Sequence, residues 1–116
     1  MTTCRRGEVV LVLFPDSNLR TSKRRPALVV QANGLGTGLS QTVVAMITSN
    51  MARAGHPSRV TVRIKPQDAE GPGLLMDSVV MMDNLATIHL SEVDRVIGVL
   101  DEMPQVDAAL RATLAL

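Results

Sequence analysis

Short runs of apolar and β-branched residues, separated by turn signals, recur along the chain as far as Leu100. Runs of this length between Gly, Pro, Asn and Asp clusters are typical of β-strands. The run at residues 42–48 is almost wholly apolar, which predicts a central strand, whereas residues 59–64 alternate polar with apolar side chains, as a half-exposed strand does. Seven strands are predicted, over residues 9–14, 26–30, 42–48, 59–64, 78–83, 86–90 and 95–100.

The pattern changes after Leu100, where apolar residues recur at helical spacing. Asp101 is a good N-cap, and Pro104 falls in the first turn, where proline is tolerated. Several short strands followed by one helix argue for a small twisted barrel or two-sheet sandwich, in a single domain over residues 1–116. The predicted apolar stripe of the helix consists of Met103, Val106, Leu110 and Leu114.

The composition narrows the classes of function. The 116 residues are 46% hydrophobic and 20% charged, with a net charge of +1, so an anion-binding surface has to come from clustered charges. One Phe and no Trp or Tyr largely exclude base stacking on aromatic side chains. No apolar run is long enough to span a bilayer, and no signal peptide is evident. The single cysteine, Cys4, fits a reducing compartment, so we expect a cytoplasmic protein.

The densest basic cluster is Lys23-Arg24-Arg25, directly before Pro26 at the predicted start of a strand. A residue that precedes proline is held in an extended conformation, so the Arg25 guanidinium has a restricted position from which to bind phosphate. A solvated basic loop is the commoner fate of such a run. Thr48 and Ser49 end an apolar strand, where their hydroxyls could donate to phosphate or cap the following turn. Together the two features could converge on one patch.

Other familiar catalytic patterns are missing. The sequence has no phosphate-binding P-loop, HExxH, CxxC or GxSxG motif. His56 and His89 are far apart and fit surface or loop positions better than a metal site, and the acids near strand ends fit solvated positions. We therefore expect neither a metal ion nor a cofactor.

Four segments, in order along the chain, form a recognisable pattern. They are Arg6-Gly7-Glu8-Val9, Arg25-Pro26-Ala27-Leu28-Val29-Val30, Ile47-Thr48-Ser49 and Asp77-Ser78-Val79-Val80 with Asp83-Asn84-Leu85 and Thr87-Ile88 after it. This pattern resembles the MazF/PemK family of toxin–antitoxin ribonucleases. The resemblance implies a mostly β (α+β) fold, a small Src-homology-3-like barrel of the MazF/CcdB type with a C-terminal helix, in a homodimer. It also implies sequence-specific, metal-independent cleavage of single-stranded mRNA to a 2′,3′-cyclic phosphate and a 5′-hydroxyl, which inhibits translation and growth.

By position, Arg25 and Thr48 match the family's catalytic arginine and threonine. The resemblance also implies a MazE-like antitoxin whose acidic, flexible tail occupies the RNA groove. The chain departs from the family pattern by lacking a glutamate before the Arg-Pro pair and by carrying Asn84, Ala86 and His89 where Gln, a basic residue and Asp are usual. The predicted RNA-binding residues are Lys23, Arg24, Ser49, Asn50 and Asn84.

Two alternatives keep a similar fold. A toxin of the CcdB type would inhibit DNA gyrase by binding, without nuclease activity, and a basic-loop binding module would retain RNA without cutting it. The Arg25-Pro26 and Thr48-Ser49 pairs favour the nuclease, because a protein-binding poison needs neither.

Overall fold

Six strands form one antiparallel sheet in the part of the chain that the structure, a computed structural model, describes, namely residues 3–15, 18, 20, 22–65 and 71–116. The strand order is β4-β5-β3-β2-β1-β6, which puts the predicted central run, β3, inside the sheet. One α-helix, α1 (Met103–Leu114), follows the last strand. The strands are β1 (Glu8–Pro15), β2 (Ser22–Val29), β3 (Gln41–Thr48), β4 (Arg59–Val62), β5 (Ser78–His89) and β6 (Val93–Val99). The predicted class, mostly β with a C-terminal helix, is confirmed.

The sheet buries apolar side chains on both faces, because successive residues of a strand point to opposite sides. One core cluster contains Val9 and Leu28 and is covered by α1, whose Val106 and Ala109 are buried in it. The other contains Val10 and its neighbours Ala27, Val29, Val44, Met46, Ile88 and Val93. This double burial explains why so few of the strands show strict alternation in sequence.

The helix follows the prediction closely. It begins one residue later than an Asp101 cap implies, since Glu102 occupies the N-cap without a side-chain hydrogen bond. Pro104 lies in its first turn, as predicted. Met103 and Leu110 pack against the core, whereas Leu114 at the last turn is half exposed. Two short 3₁₀ helices lie between the strands, at Met51–Arg53 and Leu90–Glu92.

Two strand predictions were wrong. Residues 78–83 and 86–90 are one bent strand, β5, because a bulge opposite Ala45 and Met46 absorbs the polar stretch between them without ending the ladder. The predicted basic loop before Pro26 is part of β2, which begins at Ser22 and pairs with β1 from Ser22 to Leu28. Pairing with β1 imposes an extended conformation that the polar sequence did not signal.

A close backbone contact holds the chain before β5 against β6. A Cβ atom at Gly98 would lie 2.3 Å from the carbonyl carbon of Pro72 and 2.4 Å from the oxygen of Gly71. The backbone N–H of Val99 donates to that same Gly71 oxygen over 3.3 Å. Only glycine therefore allows residues 71–73 to lie on β6.

Replacing Gly98 by alanine is expected to lower the free energy of unfolding by about 2–3 kcal/mol, since backbone atoms have to move apart. Denaturant unfolding would measure the loss. Gly38→Ala is the matched control: its positive φ of 76° is strained for alanine, but nothing lies within 4 Å, so about 1 kcal/mol is expected. Equal losses in the two variants would contradict the close contact.

Candidate active site

The site begins where β2 and β3 separate. Their ladder pairs Ala27 with Met46, and the N–H of Val30 donates to the carbonyl of Val43 over 3.0 Å. Backbone N–H groups along a strand point alternately to its two neighbours. The nitrogens of Val30, Leu28 and Pro26 therefore all face β3. Proline has no N–H to donate, so the ladder to β3 ends there. Pro26 is tolerated in the middle of β2 for this reason, and not because it starts the strand.

Continuing the same register past its last pair places Arg25 opposite Thr48 and Arg24 opposite Ser49. Alternation also puts Arg25 on the face of Ala27, and Thr48 on the corresponding face of Met46, while Arg24 and Ser49 belong to the other face. The two predicted catalytic residues therefore share one side of the parted strands.

A cavity of about 450 Å³ opens at this point. Residues from both faces of the parted strands line it: Arg25 and Thr48 from one face, and Arg24 and Ser49 from the other. The structure thus brings together the two sequence features that could converge on one patch. Its remaining wall comes from β1, β6 and the chain before β5, and consists of Leu11, Pro26, Ile47, Gly73, Leu74, Leu75, Met76, Ser78, Arg95 and Ile97.

Thr48 is oriented by a hydrogen bond within the turn that follows β3. Its Oγ1 accepts from the backbone N–H of Asn50 over 3.1 Å. A hydroxyl has two lone pairs and one proton, so this bond leaves the proton available for donation to a phosphate oxygen. Capping the turn and binding phosphate are thus compatible roles for one side chain.

The described lining of the cavity is positively charged. It includes three arginines and no carboxylate or imidazole among the residues that the structure describes. Arg24 Nε lies 3.3 Å from Asp94 Oδ2, and 61% of the Arg24 side chain is exposed. The ion pair therefore orients the Arg24 guanidinium but leaves it accessible to solvent. The lining is suited to a phosphodiester, and it leaves the proton acceptor of any cleavage unassigned.

Three predicted RNA-binding residues lie outside this cavity. Lys23 is exposed on β2, and Asn50 caps the 3₁₀ helix at Met51–Arg53, its Oδ1 accepting from the backbone N–H of Ala52 over 3.1 Å. Asn84 is exposed in β5, five residues along the strand from Val79, which pairs with Thr48.

The chain before β5 contributes residues that the sequence pattern did not single out. Asp77 fixes the end of this segment: its Oδ1 accepts from the N–H of Ile64 over 2.8 Å, and its Oδ2 lies 3.2 Å from Arg63 Nη1. These hydrogen bonds, first that from Ile64, lower the pKa of Asp77. Arg95 of β6 also lines the cavity. No local motif marks Arg95 or residues 73–76, because their place in the lining depends on which segments lie beside β2 and β3.

Both histidines are exposed, and each hydrogen-bonds to a serine two residues along the chain. His56 Nδ1 lies 2.6 Å from Ser58 Oγ, and His89 Nδ1 lies 2.7 Å from Ser91 Oγ, each within a local turn. Asp83 pairs with Arg59 over 2.8 Å, and hydrogen bonding from that guanidinium lowers the pKa of Asp83. No group of three or more metal-ligating side chains occurs in the described part of the chain.

Cys4 is partly buried. Burial raises the pKa of the Cys4 thiol, which disfavours the thiolate needed for nucleophilic chemistry. Across the described residues, no helix combines the length and apolarity needed to cross a membrane.

A six-stranded antiparallel sheet with a C-terminal helix, and an arginine-lined cavity beside the end of the β2–β3 ladder, define a small, mostly β protein. The sequence model of the family described as "PemK-like, MazF-like toxin of type II toxin-antitoxin system" matches residues 5–114, and the chain belongs to that family.

Named relatives agree with this membership. Endoribonuclease EndoA of Bacillus subtilis is 34% identical over 116 residues, covering 97% of this chain and 95% of the relative. Endoribonuclease MazF6 of Mycobacterium tuberculosis is 34% identical over 107 residues, covering 90% of each chain. The solved structure of M. tuberculosis toxin MazF-mt6 has a TM-score of 0.72 and 27% identity, covering 94% of this chain and 97% of that one. The predicted fold of the MazF type, mostly β with a C-terminal helix, is thereby confirmed.

A further solved structure is described as an endoribonuclease in complex with its cognate antitoxin from Mycobacterial species. It has a TM-score of 0.72 over 98% of this chain and 97% of that one, at 22% identity, and so supports the fold. The family membership and the names of the relatives favour the nuclease over the gyrase-binding alternative.

Proposed function

We propose that this MazF/PemK-family toxin endoribonuclease cuts single-stranded RNA at the cavity between β2 and β3. The observation that carries the proposal is that Arg25 and Thr48 lie opposite each other beyond the last pair of the β2–β3 ladder, and that both line a cavity to which two further arginines contribute. Family membership and relatives named endoribonucleases support the same class of reaction.

In the proposed reaction, the RNA supplies its own nucleophile. The 2′-oxygen forms a bond to the adjacent phosphorus while the bond from phosphorus to the 5′-oxygen breaks, giving a 2′,3′-cyclic phosphate and a 5′-hydroxyl. The 2′-OH proton leaves to water, and the departing 5′-oxygen takes a proton from water. The protein aligns the two oxygens and stabilises the charge that develops on the phosphorane.

Arg25 and Thr48 divide this work. The Arg25 guanidinium offers paired, charge-assisted N–H donors to the non-bridging oxygens of the phosphate. Thr48, whose Oγ1 accepts from the Asn50 N–H, donates a hydrogen bond from its hydroxyl to one of these oxygens. A guanidinium group has N–H donors and no acceptor, so we assign Arg25 to electrostatic stabilisation and not to base catalysis.

The surrounding residues contribute to binding. Arg24 and Arg95 extend the positive surface on the cavity wall, and Lys23 continues it along β2, where it attracts the RNA backbone in a salt-dependent way. Ser49 lines the cavity and Asn50 follows it, near the cut phosphate. Asn84 lies farther away and would contact a more distant nucleotide.

The proposed partner is an antitoxin with an acidic, flexible tail. Such a tail matches the positive charge of Arg24, Arg25 and Arg95 and would exclude RNA from the same cavity.

We further propose a homodimer in the cytoplasm. Met82 is fully buried and Met81 packs against the core of the monomer. The contact between the two copies therefore has to use other apolar side chains.

Cleavage is expected to proceed at an unchanged rate in excess EDTA, because the nucleophile and the charge stabilisation need no metal ion. The test incubates the purified protein with single-stranded RNA and maps new ends by their need for phosphorylation before ligation. New 5′-hydroxyl ends at defined sites support the proposal. Strict dependence on Mg²⁺ would contradict the mechanism, and RNA that is retained but uncut would favour the binding module.

A further inference from the structure

Two large apolar side chains at the edge of the active-site cavity face solvent. Leu75 is 96% exposed and Met76 is 57% exposed, and both line the cavity that contains Arg25 and Thr48. Exposing leucine to this extent has no benefit for folding. An exposed apolar pair that belongs to a positively charged cavity indicates contact with a ligand.

The segment that carries this pair is held at both ends. On one side, Gly73 lies directly on the backbone of Ile97, where a Cβ atom would come within 1.9 Å of the Ile97 oxygen. On the other, Asp77 accepts a hydrogen bond from the Ile64 N–H. Between these points, Leu74 packs into the core. Leu75 and Met76 are therefore presented on an anchored backbone, which lowers the entropic cost of binding against them.

The rest of the cavity wall specifies what such a ligand must be. Leu11 and Ile97 add apolar surface beside the pair, and Arg24 and Arg95 place positive charge along the same wall. A nucleotide has this combination of properties, since a base presents flat apolar faces and its phosphate is an anion. The chain has a single aromatic residue, so aliphatic side chains have to supply most of the contact with base faces.

We propose that Leu75 and Met76 hold a nucleobase next to the cleaved phosphate, by apolar contact with its face. This assignment rests on the proposed function of the cavity and names a specificity subsite within it. Continuity with Arg25 and Thr48 in one cavity favours an RNA base over a second protein chain as the occupant. Contact with a base face holds the nucleotide in place without taking part in the chemistry.

The test replaces both side chains by glutamine, which keeps their approximate size and removes their apolarity. For Leu75→Gln with Met76→Gln, KM for a cleaved RNA is expected to rise about tenfold with kcat nearly unchanged, as the loss of an apolar contact would produce. Thermal unfolding should stay unchanged, because both side chains are exposed. Leu35→Gln is the matched control, being 58% exposed but outside this cavity, and should keep the wild-type KM.

A series of RNAs with one abasic ribonucleotide at each position flanking the cut identifies the contacted base. At that position, the wild-type protein should lose about tenfold in kcat/KM, and the double variant should lose nothing further, which is the signature of a coupled pair. At other positions the two proteins should lose equally.

Several results would overturn the assignment. A wild-type KM of the double variant on every RNA would do so. A double variant that keeps the wild-type RNA profile but no longer binds the antitoxin, or no longer forms the dimer, would also do so, since Leu75 and Met76 would then contact protein. These results leave cleavage by the wild-type protein intact. RNA left uncut by the wild-type protein would instead overturn the proposed function itself, and this subsite with it.

Discussion

Replacing Arg25 by alanine is expected to lower the rate of RNA cleavage by about a thousandfold, the upper end of the range for removing a preorganised donor to developing charge. Arg25 is the cation that the register of β2 and β3 places opposite Thr48, on the same side of the parted strands. Alanine leaves the phosphorane without that charge. Single-turnover cleavage of a labelled RNA would measure the loss.

The fold should survive this change. Arg25 is exposed, and β2 is held by backbone pairing to β1, in which Arg25 is opposite Val12. Unfolding and oligomeric state are therefore expected to match the wild type. Lys23→Ala is the control, because it removes a cation two residues along the same strand, outside the cavity, and should cost only a few-fold, recoverable at low salt. Near-wild-type cleavage by the Arg25 variant would refute its catalytic assignment.

A single 2′-deoxyribonucleotide on the 5′ side of the cut is expected to block cleavage completely. The reaction that we propose takes its nucleophile from that ribose, so the substitution removes the attacking atom while leaving the base and phosphate in place. The same oligonucleotide in all-ribose form would be cut in parallel, and binding would be measured by competition.

Two features sharpen this experiment. A deoxyribose one nucleotide farther from the cut keeps the nucleophile and should leave the rate within a few-fold of the all-ribose substrate. The resistant oligonucleotide should still compete for binding, since Arg24 and Arg95 contact phosphate and not the 2′-OH in the proposed complex. Cleavage at the deoxyribose would mean that water attacks phosphorus, which would require a base that the described lining does not supply.

Much of the fold follows from local pattern. The apolar runs around residues 9–14 and 42–48 and the helical spacing after Leu100 identify strands and a helix, because burial on a sheet or a helix face leaves a direct imprint on residue order. The errors occur where pairing overrides composition. The polar start of β2 is extended because β1 binds it, and β5 continues through a polar stretch because a bulge accommodates it.

The site was only partly predictable. Arg25 and Thr48 could be named from the sequence because Arg25 directly precedes a proline and Thr48 ends an apolar run, and the family resemblance assigned their roles. Arg95, Leu75 and Met76 could not, because they reach the cavity from segments distant in sequence and carry no motif of their own.

By itself, the sequence determined the class of fold, the basic cluster before Pro26, and the hydroxyl at the end of the central strand. Pro26 is visible in the sequence, and its effect reaches a second strand. It lacks the N–H that the next hydrogen bond to β3 requires, so the two strands separate at that residue. Only the tertiary structure decided what surrounds the opening. Packing of glycine against backbone brought residues 71–76 over β6, and pairing of β6 with β1 added Arg95, which turned a strand end into a cavity.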